Sequence, residues 1–335
     1  MIDIRSTNHL FAWPVLLQRT TSSTYACLSL LFLVFFSGCA VSKYRKAMDS
    51  ASVRVNENSS IIETPLINSE YTMIGEGETV LLLHGAGGGY DQGMIMAEYL
   101  LGEGYKTVVP SRFGYLGTPM PQDSTITAQA DAYASLLDEL SIQDVAIVAA
   151  SGGTLSALEF ALRYPDRCQG VVLLSSNVKV HGDGKKVPGI VRLLFYNNYR
   201  YWWFSHRLKR TVLKSLGVTR RGYRNASEVE KMLYSDILKT MHPIEPRLTG
   251  STKDWNDVRG TYEPTYGDIS VPVLLIHCID DKLSPISSSR YAAEKIPGAE
   301  LVELPSGGHI WSGHLDEISA MVRTFIDTTC SMSEN

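Results

Sequence analysis

The pattern of apolar and polar positions becomes regular at Ile61. Ile61–Thr64 and Tyr71–Ile74 predict short strands, with Gly75-Glu76-Gly77-Glu78 as a turn. Val80–Leu83 is a continuous apolar strand, broken by His84-Gly85-Ala86-Gly87-Gly88-Gly89. A helix is predicted over Gln92–Leu101, a strand over Thr107–Val109 and a helix over Ala128–Leu140. A strand then runs up to Ala150, a helix covers Leu155–Arg163 and a strand covers Val171–Leu174. Unbroken apolar strands alternating with helices argue for a parallel sheet buried on both faces, an α/β class. The alternation stops at Asn177. It resumes with a strand over Val271–Cys278, a helix over Ser288–Lys295, a strand over Glu300–Leu304 and a helix over Leu315–Thr328. Residues 59–177 and 270–330 therefore read as one core, and 178–269 as an insertion between two of its strands.

The residues ahead of the core have a different pattern. Ala26–Phe36 is a nearly unbroken apolar run, preceded by Arg5 and Arg19 and followed by Ser37-Gly38-Cys39-Ala40. A basic region, a short apolar core and small residues describe a secretory signal over residues 1–38, too short for a comfortable membrane span. Cys39 directly after Ser-Gly resembles a bacterial lipoprotein signal. That resemblance implies lipidation of Cys39 and a protein held at the cell envelope, outside the cytoplasm. Phe36 stands where the motif prefers leucine, and an uncleaved signal anchor is the alternative. Either reading tethers the chain to a membrane, with residues 39–58 as a polar tether.

Composition narrows the class further. A chain of 335 residues, 44% hydrophobic, suits one large or two modest domains. A net charge of -4 gives no global pull towards nucleic acid. Five cysteines give no disulfide framework. Cys27 lies in the signal and Cys39 is assigned to lipid. Cys168 opens one predicted strand and Cys278 closes another. At ~3.3 Å per residue their sulfurs stand on the order of 20 Å apart, beyond the ~7 Å limit for a bridge. Both are expected to be buried and reduced.

In a parallel sheet of this kind, ligands sit beyond the carboxyl ends of the strands. Ser151 follows the strand Val145–Ala150 and is followed by Gly152-Gly153, the strand–turn–helix setting in which a serine can be held on a sharp turn as a nucleophile. Ala149 stands where the G-x-S-x-G pattern has its first glycine, and a serine in an ordinary βα turn is the plain alternative. Asp280 and Asp281 follow Cys278. His309 follows the last strand within Pro305-Ser306-Gly307-Gly308-His309. A serine hydroxyl becomes a nucleophile when a base takes its proton, and an acid aims the base. After the strand ending at Leu174 no carboxylate occurs until Asp183, so the acid falls to Asp280 or Asp281. His84 reads as a loop-shaping residue, His277 as a strand-end residue and His314 as a surface residue. A developing oxyanion needs fixed N–H donors. Gly152 supplies one, and Ala86 in the glycine-rich loop is the choice for the second. That loop carries no Gly-Lys-Ser/Thr signature of a phosphate cradle.

With these features, the chain from about Ile61 to Thr328 resembles the α/β-hydrolase superfamily. Leu81–Gly93 and Pro110–Pro119 look like a group of uncharacterised bacterial hydrolases. The resemblance implies a mostly parallel central sheet with helices on both faces and a helical lid inserted before the penultimate strand. In this fold the tail of that strand commonly reads H-G-x-x-D-x-x-x-P. Aligning His277 and Pro285 puts Asp281 in the acid position, with Asp280 as the alternative, and puts Cys278 where a glycine is usual. The set implied is Ser151, Asp281 and His309, with Ala86 and Gly152 as oxyanion donors and no cofactor or metal.

The insertion is unusual in charge. Lys179–Arg224 holds five lysines and seven arginines against one aspartate, interleaved with Phe195, Tyr196, Tyr199, Tyr201, Trp202, Trp203 and Phe204. One reading lays this lid on an anionic membrane surface. The favoured one has the aromatics lining an acyl pocket while the charges are solvated. Carboxylic ester hydrolysis is the first expectation for function. Serine-dependent carbon–carbon or thioester hydrolysis stands behind it, as does a tethered binding protein that has lost turnover.

Overall fold

The computed structural model describes residues 38–178, 196–258, 260 and 262–333. The expected signal lies outside the described residues except for Gly38, as do the Cys39 side chain and the first part of the basic stretch, 179–195. The chain divides into a unit of residues 1–47 and a unit of residues 48–335. The described part of the first unit is the opening of helix α1 (Gly38–Glu57). A helix therefore stands where the sequence reads as a polar tether. After Gly38 the segment has no glycine or proline, and Arg54 in its last turn suits the negative end of the helix dipole. Among the described residues no helix is long and apolar enough to cross a membrane.

Eight strands form one sheet: β1 (Ser60–Glu63), β2 (Asn68–Ile74), β3 (Glu78–Leu83), β4 (Tyr105–Pro110), β5 (Val145–Ala150), β6 (Cys168–Leu174), β7 (Val273–Cys278) and β8 (Glu300–Leu304). The order is β1-β2-β4-β3-β5-β6-β7-β8. The β1–β2 and β2–β4 pairs are antiparallel and the others parallel. Successive side chains leave opposite faces of a strand, and this builds a core on each side. Leu81, Leu83, Ile147 and Ala149 pack with helices α3 (Ile126–Glu139) and α4 (Thr154–Arg163). Val80, Leu82, Val148 and Ala150 pack with α2 (Tyr90–Leu100) and with Ile318, Val322 and Ile326 of the terminal helix (Leu315–Ser333). Each fully buried leucine or valine contributes about 1.5–3 kcal/mol relative to exposure. Cys168 begins β6 and Cys278 ends its parallel neighbour β7, and both are free, buried thiols.

The insertion is helical: α5 (Asn198–Arg207), α6 (Lys209–Ser215), α7 (Arg220–Asn225), α8 (Glu228–Thr240) and α9 (Leu248–Asp257). Ser227 and Glu230 form a reciprocal capping box at the start of α8. Val212, Leu213, Val218, Tyr234 and Leu238 build a small core of their own, closed by Ile310 beside the expected base. Tyr201, Trp202 and Trp203 are buried, while Arg207, Arg210, Lys214, Arg220, Arg221 and Arg224 are exposed. Among the described residues, then, Tyr201, Trp202 and Trp203 turn inward and most of the cations face solvent. The helix α10 (Ser287–Lys295) and the terminal helix, α11, complete the core.

Candidate active site

Ser151 begins the tight turn between β5 and α4, with φ at +48°. A non-glycine residue there is strained by about 1–2 kcal/mol, and such strain gathers at functional turns. The two glycines after it permit close approach. A methyl at Gly153 would lie 2.9 Å from the backbone oxygens of Leu83 and His84. The alanine before the turn is also explained. Ala149 pairs with Leu83 and Leu173, is fully buried, and its methyl fills core space beneath the sheet end.

Asp281 and His309, the expected acid and base, meet beyond the ends of β7 and β8. His309 Nδ1 hydrogen-bonds Asp281 Oδ2 at 2.7 Å. The carboxylate only accepts, so Nδ1 carries the hydrogen and Nε2 is left to take a proton. Asp281 is buried, and its Oδ1 accepts from the N–H groups of Leu283 at 2.8 Å and Ser284 at 3.1 Å. Burial works against its charge. Hydrogen bonds from His277 and His309, together with the Ser284 N–H, outweigh burial and hold it well below the usual carboxylate range. Asp280 takes a different part: its Oδ1 accepts the Gly308 N–H at 2.8 Å and so braces the loop that carries His309. Cys278 fits where a glycine is usual because its neighbour is a glycine: a methyl at Gly307 would stand 2.9 Å from the Cys278 sulfur.

His277 is more than a strand end. Its Nε2 lies 2.9 Å from the Ser284 carbonyl and 3.3 Å from Asp281 Oδ2, and its Nδ1 lies 2.7 Å from Ser289 Oγ. It therefore stands beside the same Asp281 oxygen that His309 binds. Ser175, which follows β6, donates to the His309 carbonyl at 3.1 Å and accepts from Trp311 Nε1 at 2.9 Å. Both Ser175 and Trp311 have left-handed backbone, at φ +47° and +55°. His314 stays at the surface side and pairs with Glu317 at 2.9 Å.

The glycine-rich loop after β3 reaches the serine turn. A methyl at Gly85 would contact the Ser151 β-carbon at 3.4 Å, and one at Gly152 would lie 3.3 Å from the Ala86 nitrogen. The expected donors thus stand side by side. His84 shapes this loop. Its Nδ1 bonds the Gly85 carbonyl at 2.8 Å, and its Nε2 accepts the Arg112 N–H at 3.1 Å. Burial foremost, with the Arg112 charge, keeps its imidazole pKa well below normal.

The insertion supplies the rest of the surroundings, through residues that no motif marks. Asp254 on α9 is bidentate to Arg112 at 2.7 and 2.5 Å and accepts from Tyr115 Oη at 2.5 Å. Arg112 also donates to the Gly152 carbonyl at 3.1 Å. Ser251 Oγ accepts the Gly87 N–H at 3.1 Å, and Arg247 donates to the Gly88 carbonyl at 2.7 Å. At the other end of the insertion, the Leu216 carbonyl accepts the His309 N–H at 3.1 Å. Gly217 is required there, since a methyl would lie 2.5 Å from the Gly308 α-carbon. Among the described residues no group of three or more His, Cys, Asp or Glu side chains is arranged to hold a metal.

Comparison with known proteins identifies the fold family. The sequence pattern of the alpha/beta hydrolase fold family matches residues 78–312. The chain is 26% identical over 256 residues to the uncharacterized hydrolase YcgS of Bacillus subtilis (strain 168), spanning 73% of this chain and 89% of that one. It is 26% identical over 292 residues to a 2-hydroxy-6-oxononadienedioate/2-hydroxy-6-oxononatrienedioate hydrolase of Dechloromonas aromatica (strain RCB), spanning 84% and 96%. An alpha/beta hydrolase fold protein from Nakamurella multipartita superposes with a TM-score of 0.67 at 25% identity, covering 80% of this chain and 99% of that one. The match over residues 78–312 includes the strained serine, the glycine-rich loop and the aspartate–histidine pair, and the chain belongs to the alpha/beta hydrolase fold family.

Proposed function

We propose that this hydrolase cleaves carboxylic esters through an acyl-enzyme on Ser151. His309 Nε2 takes the Ser151 proton as Oγ attacks the ester carbonyl, and Asp281 stabilises the imidazolium that forms. The carbonyl oxygen becomes an oxyanion held by the N–H groups of Ala86 and Gly152. Collapse breaks the C–O bond, and His309 returns the proton to the leaving alcohol. Water then repeats the sequence on the acyl-enzyme and releases the acid. The observation that carries this reading is the His309–Asp281 hydrogen bond at 2.7 Å, on a chain whose serine sits at a strained turn beside two backbone donors.

A carbon–carbon hydrolase is the second reading, favoured by the relative whose name specifies a dienedioate substrate. A dicarboxylate needs cations facing the site. Among the described residues, the two buried guanidiniums around the serine turn and its loop, Arg112 and Arg247, are each already bidentate to an aspartate. This favours an uncharged ester. A panel of p-nitrophenyl esters of graded acyl length, run beside a vinylogous 1,5-diketone carboxylate, tests the choice. Turnover of the diketone alone would overturn the ester reading. Failure of a fluorophosphonate to label Ser151 would leave a binding protein of the same fold.

We also propose that the protein is an envelope lipoprotein attached through Cys39, on the strength of the Ser37-Gly38-Cys39-Ala40 sequence after an apolar run. Cys39→Ser is expected to abolish palmitate incorporation and move the protein to the soluble fraction. Retention in the membrane would favour an uncleaved anchor. With the aromatics of α5 turned inward, contact of the exposed cations with an anionic bilayer would be electrostatic and lost in high salt.

A further inference from the structure

We propose that Arg54, in the last turn of α1, is a positioning residue for the loop Gly85–Gly89, which makes the end of that helix a working part of the active site. The inference rests on reading Ala86 as an oxyanion donor, and it begins from Arg247. This side chain is fully buried and donates to the Gly88 carbonyl at 2.7 Å, to Asp91 Oδ1 and Oδ2 at 2.8 Å each, and to the Pro243 carbonyl at 2.9 Å. Asp91 lies in the first turn of α2, directly after the loop. Its carboxylate is what keeps the Arg247 guanidinium aimed at Gly88.

Arg54 grips the same group from the other side. Its Nε donates to Asp91 Oδ2 at 3.1 Å, and its Nη2 donates to the Lys239 carbonyl at 3.0 Å and to the His242 carbonyl. Arg247 Nη2 also reaches the His242 carbonyl, at 3.2 Å. The two guanidiniums therefore share one carboxylate and one carbonyl. The ring is closed by Tyr90, whose hydroxyl donates to the Arg54 carbonyl at 2.8 Å. Three segments far apart in sequence meet here: the end of α1, the end of α8 and the oxyanion-side loop. The Arg247 fork is bidentate to Asp91 and so directional, and the single Nε contact from Arg54 adds a second constraint on Oδ2, which fixes the carboxylate in angle as well as place. Arg54 lies outside residues 78–312 that match the family.

Removing Arg54 takes one of two donors from Asp91 Oδ2 and leaves the carboxylate to Arg247 and the Gln92 N–H, less firmly set in angle. The Gly88 carbonyl then loses its fixed donor, and the adjoining Ala86 N–H shifts against Gly152. Such an effect falls on the transition state, where the oxyanion develops, more than on substrate binding. Arg54 is 28% exposed while Arg247 and Asp91 are sealed. Small cations can therefore reach the cavity that Arg54→Ala would leave.

The test uses the full-length protein, Arg54→Ala and Arg54→Lys. Turnover of p-nitrophenyl butyrate is measured with fluorophosphonate titration of the reactive serine and amide hydrogen exchange across residues 84–92. Expected for Arg54→Ala is a loss of roughly tenfold in kcat per titrated site with KM nearly unchanged, faster exchange in 84–92, and partial recovery on adding guanidinium at sub-denaturing concentration. Arg54→Lys should lie between. Unchanged kcat and exchange, or a loss confined to KM or to the number of titrated sites, would overturn the proposal. If the wild type neither labels nor turns over, the esterase reading fails by itself, and the exchange of residues 84–92 still decides the role of Arg54.

Discussion

The carboxylate of Asp254 lies so close to Gly152 that a methyl on that glycine would stand 2.7 Å from Asp254 Oδ2. An acid next to an expected oxyanion donor is tolerable because Arg112 neutralises it in a bidentate pair, both partners being nearly solvent-free. Removing one member leaves a buried charge without its counterion. Asp254→Ala and Arg112→Met are each expected to lower stability by about 3–5 kcal/mol in denaturant titration. The double variant, Arg112→Met with Asp254→Leu, should regain much of that stability and little of the activity. A double variant as unstable as the two losses added would show that the pair is not coupled.

The neighbouring aspartates should separate cleanly in kinetics. Asp281→Asn removes the acceptor that sets the His309 tautomer, and kcat for an ester is expected to fall on the order of 10^4-fold. Asp280→Asn keeps an oxygen able to accept the Gly308 N–H, so about tenfold or less is expected. Equal losses would mean that loop bracing matters as much as the acid.

Ser151 should show a trade of stability against activity. Glycine adopts positive φ freely, so Ser151→Gly is expected to be about 1 kcal/mol more stable than Ser151→Ala. Both should be inert to fluorophosphonate. Differential scanning of the two variants at one pH checks the first point, and labelling that survives in either would place the nucleophile elsewhere.

His242 gives a pH prediction. It is buried, and among the described residues neither ring nitrogen has a hydrogen-bond partner. Burial first, then the charge of Arg54, pushes its pKa down to about 3. The folded value lies below the unfolded ~6.5, so the neutral ring's contribution is complete above that pH and is lost as pH falls towards 3. The slope should approach about 1.4 kcal/mol per pH unit. Urea titrations across this range should show a shallower decline for His242→Leu than for the wild type. Parallel curves would refute it.

Much of the frame was legible from the chain because it depends on local pattern. The apolar runs at Val80–Leu83, Val145–Ala150 and Val171–Leu174 became central strands, and the candidate site residues lie beyond the carboxyl ends of the sheet. Ser151, Asp281 and His309 could be named because each follows a strand directly. The parts that were missed depend on contacts between distant segments. Asp254 lies in an insertion helix with no motif around it, and its partner Arg112 is 142 residues away. Arg54 looked like a tether residue because a helix that docks by its last turn has no long apolar face to announce it. Arg247 and Asp91 gave one weak signal, charges close to glycine and proline in otherwise packed surroundings. The lid aromatics were read in composition as a surface or a pocket, and burial of Tyr201, Trp202 and Trp203 turned them inward.

Gly217 against Gly308 at one end of the insertion, and Arg247, Ser251 and Asp254 at the other, have a consequence for redesign. Exchanging the whole insertion with that of a relative, the natural way to transplant substrate preference, would remove the struts beneath both the histidine loop and the glycine-rich loop. A chimera that keeps residues 216–218 and 239–258 and replaces only the segment between them should remain a working enzyme with a new preference. One that swaps everything from 178 to 269 should fold and yet turn over poorly. Selectivity and turnover in this chain are therefore written on the same segment, and can be engineered apart only by cutting inside it.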